Sequence, residues 1–180
     1  YEFIDQLGEG GYGDVKRYFD THLNRTVALK SLNKESSSHP RRLRSLINES
    51  RLISYIDHPG VVSIYDAYVK DDSFCYTMKV IEGEDLGTLL PKKGDDAMTL
   101  SQSMQVFTKV CETLAYVHDK GVIHLDIKPN NIMVGKYGQV MVVDWGNARL
   151  FDHDPYEDYL SEFGTEGKVT DLEEVENYVS

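Results

Sequence analysis

The spacing of apolar residues changes character along this chain. Segments 2–7, 13–20 and 26–32 are short runs of apolar, aromatic and β-branched residues. A glycine-rich turn and the segment His22-Leu23-Asn24-Arg25 separate them, so all three are predicted strands. A polar stretch, 33–40, follows. Leu43, Leu46, Ile47, Ile53 and Ile56 then recur near helical spacing, predicting a helix over about 41–56 that stops before Pro59-Gly60. Two further strands are predicted at 62–69 and 74–81. After Gly83 the period lengthens: Met104, Phe107, Thr108, Cys111, Leu114, Ala115 and His118 predict an amphipathic helix over 101–119. Ser101 is its expected N-cap and Gly121 its stop. Segments 132–134 and 140–143 read as a hairpin about Lys136-Tyr137-Gly138. Five strands with one inserted helix, then helix, loop and hairpin, make an α+β chain without internal repeats.

Composition narrows the class. The 180 residues have room for one domain or a small two-lobed one. The two cysteines, Cys75 and Cys111, cannot build a disulfide framework; reduced thiols and a cytoplasmic setting are expected. No apolar run is long enough to span a bilayer, and the N-terminus lacks a signal pattern. The first residue is Tyr, so a piece of a longer protein is expected. Net charge is −11, unevenly placed: residues 151–180 hold ten acids against Lys168 alone, while 1–150 are nearly balanced. That balance argues against nucleic acid as the main partner. The acidic end is expected to be a solvated segment; attraction of basic substrates, or occupation of their site, is the alternative.

Four motifs carry chemistry. Gly8, Gly10, Gly13 and Val15 form GxGxxGxV, a glycine pattern that lets backbone approach phosphates. Another strand, not a helix, follows it, which disfavours a dinucleotide-binding unit. Lys30 lies on an apolar predicted strand and needs an anionic partner; Glu49, on the predicted helix, can supply one. His124-Leu125-Asp126-Ile127-Lys128-Pro129-Asn130-Asn131 places three polar groups in one loop. Asp126 can accept a hydroxyl proton, Lys128 can steady phosphoryl charge, and Asn131 is a hard oxygen ligand for Mg²⁺. Asp144, in Asp-Trp-Gly, is a second such ligand. Each residue alone could be an ordinary loop or surface group; their joint order is hard to obtain by chance.

In these motifs the chain resembles a eukaryotic-type (Hanks-type) Ser/Thr protein kinase domain over residues 1–146. The resemblance implies a protein-kinase-like two-lobed fold. A five-stranded antiparallel N-lobe sheet with one helix would cover 1–81. A mainly helical, truncated C-lobe would cover 82–180, with the catalytic loop, Asp-Trp-Gly and the acidic segment. It implies ATP, with Mg²⁺ or Mn²⁺, and a protein substrate. Gly8, Gly10 and Gly13 would cover the phosphates, and Lys30 would hold them while paired with Glu49. Asp126 would orient the hydroxyl, with Asn131 and Asp144 on the metal. Met78 takes the gatekeeper place. The backbones of Lys79 and Ile81 would meet the adenine edge, Asp85 the ribose, and Val15, Ala28 and Met133 would sandwich the ring. Lys128 resembles the Ser/Thr subfamily, and Asp-Trp-Gly resembles bacterial members.

Three positions depart from the pattern. Leu125 stands where most members carry Arg, which pairs with an activation-segment phosphate; activity not strongly dependent on such phosphorylation is therefore expected. Trp145 replaces the usual Phe. Gly164-Thr165-Glu166-Gly167 is followed by none of the helices that complete the C-lobe. Active phosphoryl transfer to Ser/Thr hydroxyls is the leading expectation. A nucleotide-binding pseudokinase or scaffold is the alternative, and a small atypical kinase acting on a metabolite a third.

Overall fold

The structure, a computed structural model, describes residues 1–9, 13–32, 39–70 and 73–150. The expectations placed on Gly10, on 33–38 and on the acidic 151–180 lie outside the described residues. Those residues form two compact units. One comprises Tyr1–Ser54 and Ser63–Val80; the other comprises Tyr55–Val62 and 81–150.

In the first unit the strands are β1 (Glu2–Glu9), β2 (Gly13–Asp20), β3 (Arg25–Leu32), β4 (Ile64–Lys70) and β5 (Ser73–Lys79). They pair antiparallel in the order β1-β2-β3-β5-β4, with helix α1 (Pro40–Tyr55) between β3 and β4 in sequence. The β2–β3 turn is built by Asp20. Its buried carboxylate accepts the amides of His22 and Leu23 and the Arg25 Nε at 3.1–3.2 Å, while Asn24 takes the left-handed backbone that Asn tolerates. The core forms where α1 lays Leu43, Leu46 and Ile47 against Leu32, Phe74 and Tyr76. These are the helical positions that the apolar spacing predicts.

In the second unit, helix α3 (Leu100–Asp119) follows the short helix α2 (Leu86–Leu89). The predicted hairpin is present as β8 (Ile132–Gly135) and β9 (Val140–Val142), with Gly138 at φ 77° in its turn. A strand that the sequence did not suggest, β6 (Gly83–Asp85), pairs with β8 to complete a three-stranded sheet. Val122–Ile123 (β7) pairs with Arg149–Leu150 (β10).

Three local expectations change. The helix at 101–119 is present, but its buried face is Val106, Val110, Thr113 and Val117. Met104, Phe107, Thr108, Cys111, Ala115 and His118 are exposed. Both stripes have helical spacing, and periodicity does not say which one faces the core. The N-cap is Thr99, not Ser101: Thr99 and Gln102 form a reciprocal capping box. Gly121 does stop the helix, at φ 76°. The strand expected from Val62 begins only at Ile64, because Val61 bridges Val142 and the Gly60 carbonyl accepts the Val142 amide. A Cβ on Gly60 would fall 2.0 Å from Thr113 Oγ1, so only glycine lets this segment seat on α3. Among the described residues no helix is long and apolar enough to cross a membrane.

Candidate active site

Two groups of the predicted residues assemble, one in each unit. In the first, β3 carries Lys30 and α1 carries Glu49. The Lys30 ammonium donates to Glu49 Oε1 at 2.6 Å, with the Glu49 side chain 6% exposed. A carboxylate so buried needs a charged partner, and the sheet–helix packing supplies it. Cross-strand register sets Val15 opposite Lys30 and Ala28 opposite Met78. Lys79 N–H donates to the Ser63 carbonyl at 3.1 Å, so only its carbonyl remains as a backbone contact for a base. Of the glycines, Gly8 has open space where a Cβ would stand. At Gly13 a Cβ would lie 2.7 Å from the Ser31 carbonyl oxygen. The requirement for glycine at 13 thus comes at least in part from the neighbouring strand, a reason the motif does not reveal.

In the second unit, the loop after β7 gathers Asp126, Lys128 and Asn131. Lys128 donates to Asp126 Oδ2 at 2.7 Å. The Asn131 amide donates to the same oxygen at 3.1 Å and to the Asp126 carbonyl at 2.9 Å. The Lys128 ammonium holds the Asp126 carboxyl below its ordinary range, and Asp126 in turn raises Lys128. Asp126 is therefore a carboxylate at neutral pH, with Oδ1 accepting no hydrogen bond among the described residues.

Asp144 is brought to this loop through the backbone. The amide of Val143, its neighbour, donates to the Asn131 carbonyl at 2.9 Å. Asp144 itself takes left-handed backbone, φ 63° and ψ 67°, at the entry to a 3-10 turn over Trp145–Asn147. The Asp144 carboxylate and the side-chain Oδ1 of Asn131 are hard donors, and Asn131 Nδ2 is already engaged. This fits a divalent cation that keeps water and phosphate oxygens as its other ligands. No cluster of three His, Cys, Asp or Glu stands among the described residues, so the protein part of such a site is sparse.

None of the sequence motifs assigns His124 a role. The structure buries it at 1% exposure, with Nε2 on the Val143 carbonyl at 3.0 Å and Nδ1 facing the Asp126 amide at 3.3 Å. These partners require a neutral ring carrying its proton on Nε2, and burial lowers its pKa accordingly. Trp145 packs edge-on against this ring at 4.5 Å and donates Nε1–H to the Val142 carbonyl. A His inside an otherwise apolar strand end was the available signal. Leu125, between His124 and Asp126, is 62% exposed at φ 62°, a costly backbone for a branched residue.

Asp85 and Met133, expected at ribose and adenine, are cross-strand partners in β6 and β8. Ile81 lies between β5 and β6, half-buried.

A five-stranded antiparallel sheet with a Lys–Glu pair, and a loop holding an ionised Asp beside Lys and Asn, are features of the protein kinase class. The protein kinase domain family matches residues 1–167, and the chain belongs to that family. Its fold is the protein kinase fold with the five-stranded N-lobe sheet, and the family uses ATP and a divalent metal. The chain is 35% identical over 173 residues to the serine/threonine-protein kinase PknD of Protochlamydia amoebophila, covering 91% of this chain and 18% of that protein. It is 36% identical over 162 residues to PknD of Chlamydia muridarum, covering 85% and 17%. The chain thus spans less than a fifth of the length of these relatives.

Proposed function

We propose that this chain transfers the γ-phosphoryl group of ATP to Ser or Thr hydroxyls of proteins. The observation that carries the reading is the Asp126 carboxylate. Lys128 and Asn131 fix its Oδ2, and its Oδ1 is left to accept a proton. As the substrate oxygen bonds to the γ-phosphorus and the bond to the β-bridging oxygen breaks, Oδ1 takes the hydroxyl proton and ADP departs. Lys128 then faces the charge on the transferring group, and Lys30, held by Glu49, binds the nucleotide phosphates. Mg²⁺, or Mn²⁺, on Asn131 and Asp144 would neutralise phosphate charge. Gly8, Gly10 and Gly13 cover the phosphates; Val15, Ala28, Met78, Met133 and the backbones of Lys79 and Ile81 enclose the base; Asp85 meets the ribose. The proposed lobes are residues 1–81 and 82–180, except that Tyr55–Val62 and Ile81 belong to the second compact unit.

The names of the relatives support the Ser/Thr assignment. A scaffold that only binds nucleotide would be expected to lack one of Lys30, Asp126, Asn131 or Asp144, and none is missing. The thiols of Cys75 and Cys111, which form no disulfide, fit a reducing, cytoplasmic compartment. Phosphotransfer from labelled ATP to a general protein substrate, with Asp126→Asn as control and intact mass of the chain beside it, tests the activity. Label transfer equal in the two proteins would sink it.

Leu125 cannot pair with a phosphate, so turnover is proposed not to depend strongly on phosphorylation of the chain. Replacing every Ser and Thr after 146 by Ala is expected to leave turnover largely intact. Abolition of turnover, with rescue by a phosphomimetic, would refute this part.

A further inference from the structure

Asn130 is a polar residue of the loop 124–131 to which the mechanism gives no role. Its neighbours Lys128 and Asn131 turn toward Asp126, whereas its amide donates to Asp85 Oδ1 at 3.1 Å, 45 residues away in sequence. Asp85 is already engaged. As N-cap of α2 it accepts the Thr88 amide on Oδ1 at 3.0 Å and the Thr88 hydroxyl on Oδ2 at 2.6 Å. These bonds, the Thr88 hydroxyl first, hold its carboxyl below the ordinary range. A carboxylate offers about four acceptor sites. Three donors leave roughly one, in a fixed direction.

Gly87 makes room for this arrangement. A Cβ there would stand 2.6 Å from Asn130 Nδ2, 2.9 Å from Asn130 Cγ and 2.9 Å from Asp85 Oδ1. Gly87 has no positive φ, so its backbone does not require glycine. The close approach of Asn130 to Asp85 does. The obstructing atoms are side-chain ends, Asn130 nearest and Asp85 Oδ1 next, so a methyl at 87 would disturb the Asn130–Asp85 contact more readily than unfold α2.

We infer that Asn130, given room by Gly87, is a positioning residue that fixes the Asp85 carboxylate to accept one hydroxyl of the nucleotide ribose. This rests on the reading that Asp85 meets the ribose. It ties the loop bearing the catalytic Asp126 to the ribose contact, so nucleotide placement and the proton acceptor share one support. It also makes Asp85 a reader of one ribose hydroxyl rather than an open acidic group for basic substrates.

The test measures kcat and KM on the full chain with ATP, 2′-deoxy-ATP and 3′-deoxy-ATP. Wild type is expected to discriminate strongly against only one deoxy analogue, by roughly ten-fold in KM. Asn130→Ala is expected to raise KM for ATP roughly five-fold and to shrink that discrimination, with kcat changed less than about two-fold. Gly87→Ala, which removes no polar group, is expected to follow it. Asn130→Asp sets a second carboxylate against Asp85, so its KM is expected to rise further at neutral pH and to recover as pH falls. A merely structural role would not produce this profile. Wild-type KM and discrimination in Asn130→Ala, or discrimination against both analogues or neither in wild type, would overturn the inference. Asp85→Ala separates the two levels. If it collapses discrimination while Asn130→Ala and Gly87→Ala do not, the clamp fails and the ribose reading stands. If it changes neither KM nor discrimination, the ribose reading itself fails.

Discussion

The two charge pairs of the candidate site are built in opposite ways. Lys30–Glu49 joins a strand to a helix at 2.6 Å, with side-chain exposures of 19% and 6%. Lys128–Asp126 spans two residues within one loop at 2.7 Å, with exposures of 48% and 28%. The first exists only when sheet and helix have packed, and it leaves a buried charge if broken. The second is local, open to water, and contributes little to holding the fold. One pair is therefore a structural commitment; the other is set on a scaffold made elsewhere. In the loop that scaffold is His124, Asn131 and the Val143 backbone.

The contrast can be broken by experiment. Asp126→Asn should have the largest effect: kcat down about 10³-fold, as expected for loss of a proton acceptor, with the melting temperature nearly unchanged. A marked loss of melting temperature would mean that the loop pair is structural after all. Lys30→Ala should reduce phosphotransfer about 10²-fold and also lower stability, by about 3 kcal/mol, because Glu49 stays buried without its partner. Denaturant unfolding checks this, and an unchanged midpoint would erase the difference between the pairs.

His124 gives a smaller, pH-dependent effect. Its folded pKa lies below the ordinary 6.5, chiefly through burial; the nearby Asp144 and Asp126 raise it and Lys128 lowers it. The unfolded chain thus takes the proton first. Its contribution to stability is present above about pH 6.5 and is lost as pH falls toward the folded value. Asp126 titrates below 3.8 and contributes nothing to that window. Thermal melts between pH 7.5 and 5 should fall more steeply in wild type than in His124→Gln; parallel curves would remove His124 as the support of the loop. The smallest signal is the emission of Trp145, the single Trp of the chain, which should change on adding Mg–nucleotide. An unchanged spectrum at saturation would count against its place beside the proposed metal ligands.

Much of the fold was legible because local chemistry and global structure agree. The five strands, both longer helices and the hairpin follow from apolar period, and Gly121 and Gly138 act as a stop and a turn should. The candidate site was legible as a set of residue types, because kinase-type residues stand at fixed offsets in sequence. What was not legible depends on which of two equal choices packing selects. Helix α3 offers two apolar stripes, and the valine stripe faces inward. Thr99 displaced Ser101 as cap because only Thr99 has Gln102 at the reciprocal position. Strand β6 is three residues long, too short for a periodic signal.

Residue type and spacing carry the longer elements, the motif order and the kinds of atoms the candidate site presents. Tertiary structure alone decided that Glu49 is buried against Lys30, and that His124 is a neutral support beneath Asp126. It alone decided that Asn130 reaches back to Asp85 rather than toward its own loop. Each is a contact between residues distant in sequence or a choice among neighbouring polar groups. Packing and exclusion of water settle such choices, and one-dimensional spacing carries no record of them.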